Sequence, residues 1–108
     1  MAKLFISQPM KDKTNEEILE VREKAIISAT ELLQELCKDS DIEIEVIDSF
    51  FKDAPHEAKP LWFLSKSLEL LSTADVAVFA HGWETARGCR IEHECCEEYG
   101  IPVISLSE

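Results

Sequence analysis

Two spacings of apolar residues alternate along this chain, and the switches between them mark its elements. Lys3 to Ser7 (KLFIS) reads as a first strand; Pro9, lacking an N–H for a ladder, ends it within the loop Gln8-Pro9-Met10. Ile18, Val21, Ala25, Ala29, Leu32 and Leu36 recur at three- and four-residue steps, an amphipathic helical stripe that belongs to the core. Thr14 and Glu17 fit a capping box at its start, and at ~1.5 Å per residue the helix is about 35 Å long. Ile42 to Asp48 (IEIEVID) alternates, so one of its faces is partly wet and the strand belongs at a sheet edge. Ser49 to Lys59 is irregular and holds Phe50, Phe51 and His56, aromatics that either stack on a bound base or cap the core. Pro60 opens a second helix whose buried stripe is Leu61, Leu64, Leu68 and Leu71. Trp62 and Phe63 fall outside that stripe, either on a wide core face or against a neighbouring subunit.

The last third of the chain holds the most informative stretch. Val76 to Ala80 is an uninterrupted apolar run, as expected of a strand buried on both faces. His81-Gly82-Trp83-Glu84 makes a turn, Thr85 is placed to cap a helix, and the helix runs from Ala86 to about Tyr99, with Gly100 as its stop and Pro102 just beyond. Ile101 to Leu106 is the last strand, and Asp75, at the amino end of the strand before it, is structural. A helix on every strand-to-strand link implies a parallel sheet with right-handed crossovers. With the half-wet second strand at one edge and the last strand at the other, the order is 2-1-3-4. The fold class is thus α/β, a flavodoxin-like or Rossmann-like three-layer sandwich with a four-stranded parallel sheet, residues 1–108 forming a single domain. Its switch point lies between the first and third strands, where Gln8-Pro9-Met10 meets His81 to Thr85.

Charge narrows the choice of ligand. The 108 residues include 22 acidic and 11 basic side chains, a net charge of −11. That balance argues against a nucleic acid polymer or an anionic membrane surface, both of which want a basic face, but it admits a small phosphorylated ligand held by a few local arginines. No segment approaches the ~20 apolar residues of a membrane span and no signal-peptide pattern is present, so a cytoplasmic protein is expected. Cys37, Cys89, Cys95 and Cys96 form no CxxC pair, and His56, His81 and His93 lack zinc spacing, so no metal or other cofactor is expected. Cys95 and Cys96 read as small hydrophobes on a helix.

Gly88 and Glu92 sit one turn apart on the last helix. Helical side chains lean toward the N-terminus, so Glu92 projects over the place a side chain at 88 would cover. Glycine there costs about 1 kcal/mol against alanine, which is explained by a need for space above the carboxylate. Helix-terminal N–H groups would favour its ionised form, and a poised anion facing an opening suits a nucleophile or a ribose-binding group. The plainer alternative is a solvated glutamate beside a tight-packing glycine.

The motifs GWE, RG, RIEHE and GIPV, together with FISQPM near the start, resemble the nucleoside 2-deoxyribosyltransferase superfamily, in particular its small bacterial and phage branch, over most of the chain. The resemblance implies that Glu92 is the nucleophile and that Ser7, Gln8, Pro9 and Met10 line the substrate pocket. It also implies an aspartate on the second helix, where this chain has Ser67, and a pocket often completed by a neighbouring subunit, hence a homo-oligomer, dimer or larger. The activity expected is therefore at the N-glycosidic bond of a small nucleoside or nucleotide, as a deoxyribosyltransferase or a deoxynucleotide N-hydrolase. In that picture Trp83 stacks on the base, with His81 and Gly82 beside it, and Arg87 or Arg90 meets a 5′-phosphate, unless Arg90 simply pairs with Glu94. His81, Glu84 and His93 are the candidates for handling the leaving-group proton. Ser67 leaves a second reading open: the same pocket as a non-catalytic binder of nucleotides or ADP-ribose derivatives. A purely structural oligomer leaves Gly88 above Glu92 unexplained.

Overall fold

The computed structural model describes residues 2–10, 13–38, 43–48, 57 and 59–106. In chain order it contains β1 (Ala2–Ser7), α1 (Asn15–Cys37), β2 (Ile44–Val46), α2 (Pro60–Leu71), β3 (Val76–Phe79), a single 3₁₀ turn at Trp83–Thr85, α3 (Arg87–Tyr99) and β4 (Val103–Ser105). The sheet is wholly parallel in the order β2-β1-β3-β4, a flavodoxin-like arrangement with β2 at one edge and β4 at the other.

The alternation of each strand sorts its residues into two layers. Leu4 and Ile6 of β1 and Val76, Val78 and the adjacent Ala80 of β3 meet Ala25 and Ala29 of α1. Phe5, Ala77 and Phe79 face the other way, onto Leu71 of α2 and Cys96 of α3. Ser7 follows Phe5 by two and so points to the α2/α3 side. Asp75 has the structural role expected of it, its Oδ2 accepting the Lys3 N–H at 2.8 Å at the amino end of β3. Cys95 and Cys96 pack as small hydrophobes in the second layer.

The capping box of α1 forms on Thr14 and Glu17, and Pro60 opens α2. Several expectations need correction. β2 and β4 are three residues each by strand register, although Glu43 and Ile47 still hydrogen-bond to β1 through the backbone, and Pro102 and Leu106 to β3. Leu36 is 67% exposed, since α1 overruns the sheet, and Leu61, in the first turn of α2, is 73% exposed. Thr85 does not cap α3: its hydroxyl turns back to the Gly82 carbonyl at 2.7 Å inside the 3₁₀ turn, and the N-cap falls on Ala86, which offers no side-chain acceptor. Ile42, Phe50, Phe51 and His56 lie outside the described residues. Among the described residues no helix is long and apolar enough to cross a membrane.

Candidate active site

β1 and β3 run side by side until Ser7 pairs with Phe79, after which their chains part. The parting is tight at one point. Gly82 takes φ 86°, a left-handed conformation that L side chains rarely adopt, and any Cβ there would lie 3.8 Å from the Pro9 ring. Beyond it, between the ends of the strands and the starts of α2 and α3, opens a cleft of about 1350 Å³. The switch point thus holds the cavity the strand order calls for.

Glu92 stands on the cleft wall, in the second turn of α3 and only 6% exposed. The Ser7 hydroxyl donates to its Oε1 at 2.6 Å, linking the end of β1 to α3. A Cβ built on Gly88 would meet nothing within 4 Å, so the cleft wall is open at that position, one turn before Glu92. Burial pushes the Glu92 carboxyl up to about 7, against side-chain hydrogen bonds with Ser7 and Ser67 that pull it down. The sequence led us to expect an ionised group held by helix-terminal N–H groups. The difference lies in the register: the amide of Arg90 already bonds the Ala86 carbonyl, so the ladder is closed before residue 92. Near neutral pH the carboxyl therefore populates both its protonated and its ionised state.

Cys89 completes the cluster. It is 4% exposed on the cleft wall, and burial pushes its thiol up to about 11, so it is neutral and acts as a small packing group beside Ser7. Cys89, Glu92 and Cys96 form the buried stripe of α3, and a glutamate set in such a stripe is itself a sequence signal for an enclosed carboxyl.

Of the residues expected in the pocket, Ser7, Gln8, Pro9, Met10, His81, Gly82, Arg87, Gly88, Arg90 and Glu92 line the cleft. Trp83 and Glu84 do not. The Trp83 ring packs on Phe79, stacks on His93 at 4.2 Å between centroids, and its Nε1 donates to the Ser105 hydroxyl at 3.0 Å, which carries it toward β4. Glu84 is exposed, and its backbone carbonyl, not its carboxylate, accepts from Arg90 Nη1 at 3.0 Å. His93 lies on the far side of α3, against Phe79 and 2.9 Å from Glu97, which leaves His81 as the cleft-lining member of the three proton-handling candidates. Arg90 thus bonds the chain ahead of α3 instead of pairing with Glu94.

Two lining cations escaped the sequence reading, Lys13 and Lys59, and each directly precedes or occupies a helix N-cap, a placement the sequence does display. Comparison of the chain with protein-family models, with curated proteins and with solved structures gives no match.

Proposed function

We propose that the protein acts on the N-glycosidic bond of a nucleoside or nucleotide, with Glu92 as the nucleophile. The observation that carries this reading is the Glu92 carboxyl, enclosed by Ser7 and Ser67 on a cleft wall that is open at Gly88, one turn before it. The ionised oxygen attacks C1′ of the sugar through an oxocarbenium-like transition state. The C1′–N bond breaks, and its electron pair leaves with the base, whose nitrogen takes a proton from His81 or from water. Water, or a second base, then bonds to C1′ as the C1′–O bond to Glu92 breaks and its electron pair returns to the carboxylate, the added group's proton passing to the deprotonated His81 or to the hydroxide left by the first step. Ser7 donates to Oε1 at 2.6 Å and so helps fix the orientation of the carboxyl toward the cleft.

One observation favours a second reading, non-catalytic binding of a nucleotide or ADP-ribose derivative. Ser67, which reaches the Glu92 carboxyl from α2, carries no acidic proton, and this leaves the departing base dependent on His81 or water.

Incubation with 2′-deoxynucleosides and their phosphates, followed by chromatography, separates the two. The glycosidic reading expects free base, and none from Glu92→Ala. Ligand bound by both proteins with no base released would favour the binder.

A further inference from the structure

The cleft is the basic part of an acidic molecule. Lys13, Lys59, Arg87 and Arg90 line it, while Glu92 is the acidic residue among its described lining. Of the four described lysines outside the cleft, Lys3, Lys24 and Lys66 each lie within ion-pair distance of a glutamate, at 4.0, 3.3 and 3.8 Å, and Lys38 does not. Among the described residues the four cleft cations form no ion pair within 4.0 Å, although Lys13 lies near enough to Glu17 to help lower that carboxyl, in a chain with 22 acidic residues against 11 basic.

Their positions also run against the ordinary electrostatics of helices. A helix N-terminus carries partial positive charge and favours an acid in its first turn. α1 obeys this, with Glu16 and Glu17 in its first turn and a capping box. α2 and α3 do the reverse. Lys59 is the N-cap of α2 and Arg87 the first residue of α3; neither helix has an acid in its first turn, and neither N-cap makes a side-chain hydrogen bond. Two helix starts that open on the cleft therefore add their own positive ends to the four cations. An anion seated in the cleft would meet these positive groups from more than one side.

Gln8 supplies an independent sign of a ligand. It is 5% exposed on the cleft wall, and its Nε2 donates to the Ile18 carbonyl at 2.8 Å, which identifies the other amide atom as the oxygen. That Oε1 is buried with no hydrogen-bond partner among the described residues. A buried acceptor left unpaired is costly, and a turn of the Gln8 amide toward the cleft would let a hydroxyl or amino donor on a bound molecule pair it.

We infer that the cleft takes a nucleotide carrying two or more phosphates, its phosphates among Lys13, Lys59, Arg87 and Arg90 and a sugar or base donor on Gln8, in preference to an uncharged nucleoside. Cations drawn from three separate elements fit a chain of phosphates better than a single one. This deepens the glycosidic reading by naming the substrate class of the same cleft.

Isothermal titration with deoxyadenosine, its 5′-monophosphate and its 5′-diphosphate tests it, with inorganic pyrophosphate as competitor. The expected result is a gain of about tenfold in affinity per added phosphate, the scale of a hydrogen bond to a charged group. That gain shrinks as salt is raised, pyrophosphate displaces the diphosphate, and Lys59→Gln with Arg87→Gln removes most of the phosphate preference. Equal affinity across the three compounds, or binding of none, overturns the inference. The two readings fail separately. Tight diphosphate binding with no base released from any compound leaves this inference standing and ends the glycosidic one. Turnover of deoxyadenosine with no phosphate preference does the opposite.

Discussion

On the α1 side of the sheet, Leu4, Ile6, Val76, Val78 and Ala80 close against Ala25 and Ala29, and the layer is apolar along the strands. On the α2/α3 side the same strands begin in the same manner, with Phe5, Ala77 and Phe79 on Leu71 and Cys96, but β1 ends on a serine bonded to a buried glutamate. Both faces are drawn from alternate residues of the same two strands, so the difference arises beyond the last apolar pair. The α1 face spends all its area on burial. The opposite face gives up part of its burial at the carboxyl ends of β1 and β3 and holds a cleft there, with a carboxyl whose charge is disfavoured by its surroundings.

This contrast can be broken most severely on the closed face. Leu4 is fully buried and is not part of the cleft wall, so Leu4→Ala is expected to cost about 2–5 kcal/mol in urea unfolding. Nucleotide affinity of the folded fraction should stay as it was. A variant that lost affinity while keeping its stability would show that the two faces are not separate in role.

A smaller effect should appear on the open face, with the opposite sign. The Glu92 carboxyl ionises at an ordinary value of 4.5 when unfolded and at about 7 when folded. Between those values the folded protein keeps a proton that the unfolded chain has lost, so stability falls as pH rises through the window and is lowest above it. The full difference is roughly 3 kcal/mol by linkage, an upper figure for a group that can relax. Glu92→Gln should flatten that slope and raise the melting temperature at pH 8, while abolishing base release. Identical pH–stability curves for the two proteins would mean that the carboxyl is not held as described. Base release by the native chain should instead rise with pH through about 7, as the nucleophile loses its proton. Stability and activity thus move in opposite directions across one titration.

The smallest expected change is at Gly88. With open space where its Cβ would lie, Gly88→Ala should stabilise the protein by about 1 kcal/mol through helix propensity and weaken nucleotide binding several-fold by filling the open place in the cleft wall one turn before Glu92. Unchanged affinity would show that the ligand does not use that space.

The order of the strands and the place of the cleft were legible because each rests on a period. Alternation in IEIEVID marks an edge, and the unbroken run VAVFA marks a strand covered on both faces. Gly88 over Glu92 was legible for the same reason, as a spacing of one helical turn. Three of the misplaced residues sit where a period gives no direction. Trp83, Glu84 and Thr85 belong to a 3₁₀ turn after a left-handed glycine, and the turn sends the indole to Phe79 and Ser105. His93 comes directly after Glu92, which on a helix places it about 100° around the axis, and here that is the far side. The protonation of Glu92 was not legible either, since it depends on how deeply Ser7, Ser67 and Cys89 enclose the carboxyl.

The most direct test of the account is to trap the intermediate that it requires. A 2′-deoxy-2′-fluoroarabinosyl nucleotide slows release of a covalent glycosyl group, and digestion with mass spectrometry then locates the adduct. The account predicts one sugar attached to the peptide containing Glu92, and no adduct on Glu92→Gln. A nucleotide that binds in the cleft yet leaves the protein unmodified, or modifies it at another residue, would contradict the assignment of Glu92 as nucleophile.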